Sequence, residues 1–392
     1  MKPVLDSVLP FSSGDFFWFL AITVSLCLGV KTFFKERIPY KWLLALVSLG
    51  YLILMYPKPF NILVLTGYLY VVILSLRKWY TSDNVALPMI LLALPMIGMK
   101  GFGLVSDAGG FSGVQKFLQI AGISYMVFKA ISLYIDGRRS PEAVIFLDVF
   151  VFLAFVPTLL IGPLDRFKRF MTDVENGYQN MSKSFLLKGW NNLILGLLYK
   201  FIIAEAIRRL LLAYLVDDGS VIYHISYMYT YLFYLFFDFA GYSLLAIGFG
   251  NLLGIDVPIN FNKPFLAVNP KEFWKRWHKT LGDWLNDYFF KPLFKYFTQK
   301  KIRTSIQRQG LALFLTFTLM GCWNGFERHY ILSGMLFGLY SLVHNYYVYR
   351  CKKTKREVFF GSLSPRIVKI SSIFMMFNLV AFAIYIFSGN LI

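Results

Sequence analysis

The stretch that decides the reading of this chain is residues 259–278, INFNKPFLAVNPKEFWKRWH. Long apolar runs flank it on both sides, yet it alone packs Phe273, Trp274, Trp277 and His278 between Lys271, Glu272, Lys275 and Arg276. Were it one helix, Trp274 and His278 would be i,i+4 neighbours on one face. Two readings are open. The helix lies in a bilayer interface, rings toward lipid and cations toward headgroups. Alternatively, His278 belongs to a site reached through the membrane, where an ionisable side chain is costly and therefore suggests function.

Outward from this stretch, apolar runs of membrane length recur through the 392 residues: roughly 16–34, 42–56, 61–75, 85–99, 117–134, 144–161, 190–212, 222–253, 311–323, 330–348 and 367–387. With 57% hydrophobic residues and a mean hydropathy of +0.57, this is the pattern of an all-α polytopic membrane protein with about eleven spans. Glycine and proline breaks, without ten-residue alternation, exclude a barrel. One membrane domain is expected over 1–392. It has N-terminal helices in 1–116, a core in 117–349 that includes a cytoplasmic segment 256–308, and a C-terminal helix in 350–392. The run 222–253, with Gly241, Gly248 and Gly250, is long for one span and predicts tilt or a kink.

The net charge of +19 would suggest nucleic acid in a soluble chain. In a membrane protein, basic loops retained in the cytoplasm explain it, and no nucleic-acid partner is expected. Such loops also meet anionic lipids or an acidic protein. The basic loops after the first, third and fifth runs put the N-terminus outside. Parity then places the basic Asp165–Arg169 segment outside as well, against the rule. A break at Pro157 and Gly162-Pro163, giving a re-entrant hairpin within 144–161, would resolve this. Lys2 alone precedes Asp6, so no cleavable signal is expected. Cys27, Cys322 and Cys351 form no CxxC pair, so no zinc ribbon or redox dithiol is indicated.

Four histidines are present. His224 begins a run beside the Asp217-Asp218 turn and reads as a rim residue. His344, beside Asn345, is suited to a hydrogen bond between helices. His329 follows the break 321–330, GCWNGFERHY. If residues 324–329 were helical, Asn324 and His329 would point about 140° apart. No metal site is expected, since no HxxxH or HxxE pair exists. Nucleophile elbows, P-loops and dinucleotide fingerprints are likewise missing.

The runs Asn260–Phe265 and Phe273–His278, with the Trp323-x-Gly325 turn, resemble the membrane-bound O-acyltransferases. Residues 157–170, PTLLIGPLDRFKRF, and 122–129, GISYMVFK, are similar to the DltB-type D-alanyl transfer branch. The resemblance covers about 122–347. It implies a ring of helices around a funnel, thin at its centre, in a multi-pass cell-membrane protein. It also implies an acidic, DltC-like carrier protein docking on the cytoplasmic side, with the acyl donor on its phosphopantetheine arm and no cofactor of the chain's own. The acceptor would be an extracytoplasmic hydroxyl on an envelope polymer such as a teichoic acid. Trp274, Arg276, Trp277, Lys263, Trp323, Lys291 and Lys295 would then bind substrate or carrier. The family has Trp-His-Gly where this chain has Trp323-Asn324-Gly325, and a second family histidine falls near Phe337. Asn324 cannot hold a proton near neutral pH. The catalytic candidates are therefore His278, the Asn324 position and His329. The alternative is a catalytically impaired relative that docks a carrier as a scaffold. A transporter finds no support in paired repeats or charged rows within spans.

Overall fold

The computed structural model describes residues 11, 13–34, 37–82, 84–102, 122–140, 142–355 and 364–391. The start of the apolar run at 117, Lys2, Asp6 and Arg356 lie outside them. Every regular element among the described residues is helical: α1 (Gly14–Phe33), α2 (Tyr40–Met55), α3 (Pro59–Trp79), α4 (Ala86–Phe102), α5 (Ile123–Gly137), α6 (Phe146–Leu153), α7 (Phe167–Glu175), α8 (Lys183–Leu197), α9 (Glu205–Leu210), α10 (Val221–Leu252), α11 (Pro270–Trp274), α12 (Lys279–Leu285), α13 (Lys291–Gln299), α14 (Ser305–Asn324), α15 (Arg328–Lys353) and α16 (Pro365–Phe387). Among them, α1, α3, α10 and α16 are long and apolar enough to cross a membrane. This is a helical membrane protein.

The chain divides into two compact units. One comprises residues 1–197 and 242–258. There the apolar run 144–161 breaks early. Helix α6 has eight residues, about 12 Å, against a hydrocarbon core of about 30 Å. A 3₁₀ turn at Val156–Thr158 follows, and the chain is not helical again until Phe167. Lys129 of α5 is buried and holds this break. Its Nζ donates to the Phe152 carbonyl at 3.2 Å and to Thr158 Oγ1 at 2.8 Å. Gly122, at φ 86°, lies where a Cβ would fall 2.3 Å from the Leu159 carbonyl oxygen, so the start of α5 tolerates only glycine there. Beyond the break, Asp165 accepts from the Arg166 N–H at 2.6 Å and Arg169 Nε at 2.7 Å. The two stretches 122–129 and 157–170 thus pack on each other.

The other unit comprises residues 198–241 and 259–392. Its centre is the pair α14 and α15, which approach through glycines. A Cβ on Gly334 would lie 2.5 Å from the Phe317 carbonyl oxygen, and Gly321 Cα is 3.0 Å from that same position. Small residues at such crossings let backbones meet, which is how helices gain packing in lipid. A π turn at Leu198–Ala204 enters this unit, and α10 contributes its residues 221–241.

Candidate active site

Residues 260–280 do not form one helix. Asn269 caps α11, its Oδ1 accepting from the Glu272 N–H at 2.8 Å, and Pro270 occupies the first turn. The helix ends after Trp274. His278 then adopts the left-handed conformation, φ 42° and ψ 49°, directly before α12. Trp274 and His278 therefore do not share a helix face, which corrects the single-helix reading. The alternating rings and cations concealed this break, because they fit a helical period on paper.

Asn260 fixes the turn. It is fully buried. Its carbonyl accepts from the Lys279 N–H at 2.9 Å, and its Oδ1 accepts from Thr280 Oγ1 at 2.5 Å. The Asn262 N–H donates to the Arg276 carbonyl at 2.9 Å. The strand-like residues 260–262 thus grip the chain on both sides of His278 and hold a conformation that is sparsely populated for non-glycine residues. Arg276 is tied down as well, donating from Nε and Nη2 to Glu272 Oε1 at 3.0 and 2.6 Å. Burial pushes the Glu272 carboxyl upward, but the Val268 N–H and Arg276 outweigh it and hold Glu272 below its usual range.

The rings face protein rather than lipid, so the interface-helix reading falls. Phe273 and Trp277 are buried and stack on each other, centroids 5.6 Å apart. Phe337 of α15 stacks on Phe273 at 6.0 Å and meets Trp274 edge-on at 5.0 Å. Phe337, near which the resemblance places a second histidine, is thus a packed ring here. His278 is 5% exposed, with Phe239 of α10 edge-on at 4.6 Å. Its Nε2 is buried and has no hydrogen-bond partner. Burial pulls the His278 pKa down to about 3, so the ring is neutral.

Next to this cluster is a cavity of about 400 Å³. Trp274, Asn286, Thr316, Ser341, His344 and Asn345 line it, and Lys271 and Lys275 also border it. The Trp274 Nε1, buried, has no hydrogen-bond partner. The lining includes Trp274 but not His278.

The remaining candidates lie apart. Asn324 ends α14, is exposed, and donates from Nδ2 to the Met320 carbonyl at 3.0 Å. Gly325 breaks the helix, and His329, in the first turn of α15, packs on Tyr330 at 4.0 Å. Among the described residues, no hydrogen bond or ring contact joins His278 to Asn324 or His329. Trp323 is half-buried near the end of α14, Lys263 is exposed at φ 48°, and Lys295 is exposed on α13. Lys291, one turn before it, pairs with Asp287 at 2.8 Å. Sequence reasoning missed three structural contributors. Asn260 was visible only as part of a motif. Phe239 gave no signal among many phenylalanines. His344 read as a helix-pairing residue, and it also lines the cavity.

Comparison with known proteins agrees with this architecture. A profile of the membrane-bound O-acyltransferase family, MBOAT, matches residues 119–387. A teichoic acid D-alanyltransferase of Bacillus subtilis (strain 168) is 32% identical over 97% of this chain and 98% of that protein. One from Streptococcus thermophilus (strain ATCC BAA-250 / LMG 18311) is 31% identical over 99% and 96%. A peptidoglycan O-acetyltransferase of Helicobacter pylori (strain ATCC 700392 / 26695) is 34% identical over 53% of this chain and 39% of its own length. The chain therefore belongs to the membrane-bound O-acyltransferase family and is a membrane O-acyltransferase.

Proposed function

We propose that this chain transfers a D-alanyl group from a carrier-protein thioester to a hydroxyl of an envelope polymer, a teichoic acid by similarity to its full-length relatives, with His278 as the base. The observation that carries this is the buried, neutral, unpartnered Nε2 of His278. A buried polar atom without a partner is costly, and a neutral imidazole nitrogen is suited to accept a hydroxyl proton. In the proposed step the acceptor oxygen attacks the thioester carbonyl, the C–O bond forms and the C–S bond breaks. The hydroxyl proton passes to Nε2 and is returned to the departing thiolate.

The carrier's phosphopantetheine arm is the donor's own, and the cavity beside Trp274 is the place for it. Lys271 and Lys275 suit its phosphate, and the Asn286, Ser341 and Asn345 side chains suit its amides. The exposed cations of α13, Lys295 with Lys291, together with Lys263, suit an acidic carrier. The finer picture is a multi-pass protein of the plasma membrane, which the four long apolar helices support.

The test uses protein in vesicles with charged carrier and a teichoic acid acceptor. His278→Ala lowers kcat by roughly 10²–10⁴ with carrier binding retained; unchanged transfer refutes the assignment. The second reading, a carrier-docking scaffold, is favoured by Asn324 and Phe337, which stand where the resemblance to the family places histidines. It predicts carrier binding with no transfer by the native sequence.

A further inference from the structure

Helix α10 carries Tyr223, Tyr227, Tyr231 and Tyr234 at i, i+4, i+8 and i+11, a single stripe along the helix. Their rings follow one another at 5.9, 5.7 and 6.0 Å. At the first end, Asn390 Nδ2 donates to Tyr223 Oη at 2.7 Å, and His224 Nδ1 lies 2.6 Å from Tyr385 Oη. At the other end, Asp238 pairs with Lys200. The π turn bearing Lys200 is pressed onto α10, so that a Cβ on Gly241 would lie 2.7 Å from the Lys200 nitrogen. The next residue, Phe239, holds the His278 ring. The i+4 row of Tyr223, Tyr227 and Tyr231 continues through Leu235 to Phe239, about 24 Å along the helix while turning about 160° around it, and reaches the proposed base there.

Ring packing alone does not explain it. Phenylalanine serves that purpose elsewhere on the same helix, at Phe233, Phe236 and Phe237. A phenol hydroxyl at membrane depth is costly unless it is paired. Helix pairing accounts for Tyr223, for Tyr229 on another face, which bonds to Asn378, and for one hydrogen bond of Tyr227, whose hydroxyl meets the Ser388 side chain after α16 and keeps its second hydrogen-bonding position. It does not account for Tyr231, which is half-buried and whose hydroxyl has no hydrogen-bond partner among the described residues. π turns inside helical segments also recur at functional sites.

We infer that this tyrosine stripe is the binding track for the acceptor, a polyol chain that lies along α10 with its hydroxyls on Tyr227 and Tyr231 and its reacting end at His278. The inference rests on the acyl-transfer reading only for calling this ligand the acceptor. Rows of phenols offer a donor and an acceptor at each ring and an apolar edge between, which matches a chain that alternates hydroxyls with CH groups.

The experiment measures equilibrium binding of a labelled glycerol-phosphate hexamer to the purified full chain without donor, and then its KM in transfer. Tyr231→Phe weakens binding roughly three- to tenfold, the loss of one hydrogen bond, and Tyr227→Phe with Tyr231→Phe weakens it further. The hexamer KM rises by the same factor, with kcat and the carrier KM unchanged. Tyr229→Phe, which removes a hydroxyl from another face of α10, leaves all of these at the native value. Equal binding by the native chain and both stripe variants overturns the track, as does failure of the native chain to bind the hexamer. Binding that depends on Tyr231 without any transfer leaves the track standing and overturns the transferase reading.

Discussion

His278 combines three properties that rarely coincide: a left-handed backbone, near-complete burial and an unpartnered ring nitrogen. Each costs stability, and the grip of residues 260–262 offsets them. Burial depresses its pKa from 6.5 in the unfolded chain to about 3 in the folded one. Between those values the unfolded state binds more protons, so stability falls as pH drops below about 6.5, by up to about 1.4 kcal/mol per unit, and the loss is complete near pH 3. Thermal unfolding in detergent shows this as a Tm that declines from pH 6.5 to 4 more steeply for the native chain than for His278→Gln. The same depression predicts a transfer rate with no inflection near pH 6.5, and an acid limb there would assign the base elsewhere. With His278 as the proposed base, Asn324, exposed and bonded to its own helix, is expected to carry little of the chemistry. Asn324→Ala therefore changes kcat less than about threefold, well short of the loss expected for a general base.

At the scale of elements, α14 and α15 depend on backbone contact at Gly321 and Gly334. Gly334→Val inserts a side chain where 2.5 Å remains and destabilises the protein by about 1–3 kcal/mol, read as a lower Tm with the helix content retained. Much of this architecture was legible. The runs that became α1 to α4, α10 and α16 were bounded correctly to within a few residues, because apolar length with basic flanks is a direct consequence of the bilayer. Pro157 and Gly162 also announced the break after α6. What holds that break was not legible, since Lys129 reaches Phe152 and Thr158 from another helix, and a period carries no information about such partners. The turn at His278 was hidden for a related reason. FWKRWH has good local helix character, and the tertiary hydrogen bonds of Asn260 override it.

For the whole molecule, the charge of +19 is concentrated in segments between apolar runs, as retention of basic loops requires. In the proposed reading, the exposed α13 cations meet an acidic carrier. Lys291→Glu with Lys295→Glu raises the carrier KM about tenfold or more at low salt with kcat unchanged. The difference shrinks as ionic strength rises, because exposed charges are screened. Family membership rests on residues 119–387, and the proposed chemistry rests on His278.

The most direct measurement is D-alanyl transfer from a charged carrier to a teichoic acid acceptor by reconstituted protein, comparing the native sequence, His278→Ala and Asn324→His. The account predicts transfer by the native sequence, loss of roughly 10² or more in His278→Ala, and no dependence on restoring a histidine at 324. A native sequence that binds carrier without transferring, while Asn324→His transfers, would contradict it.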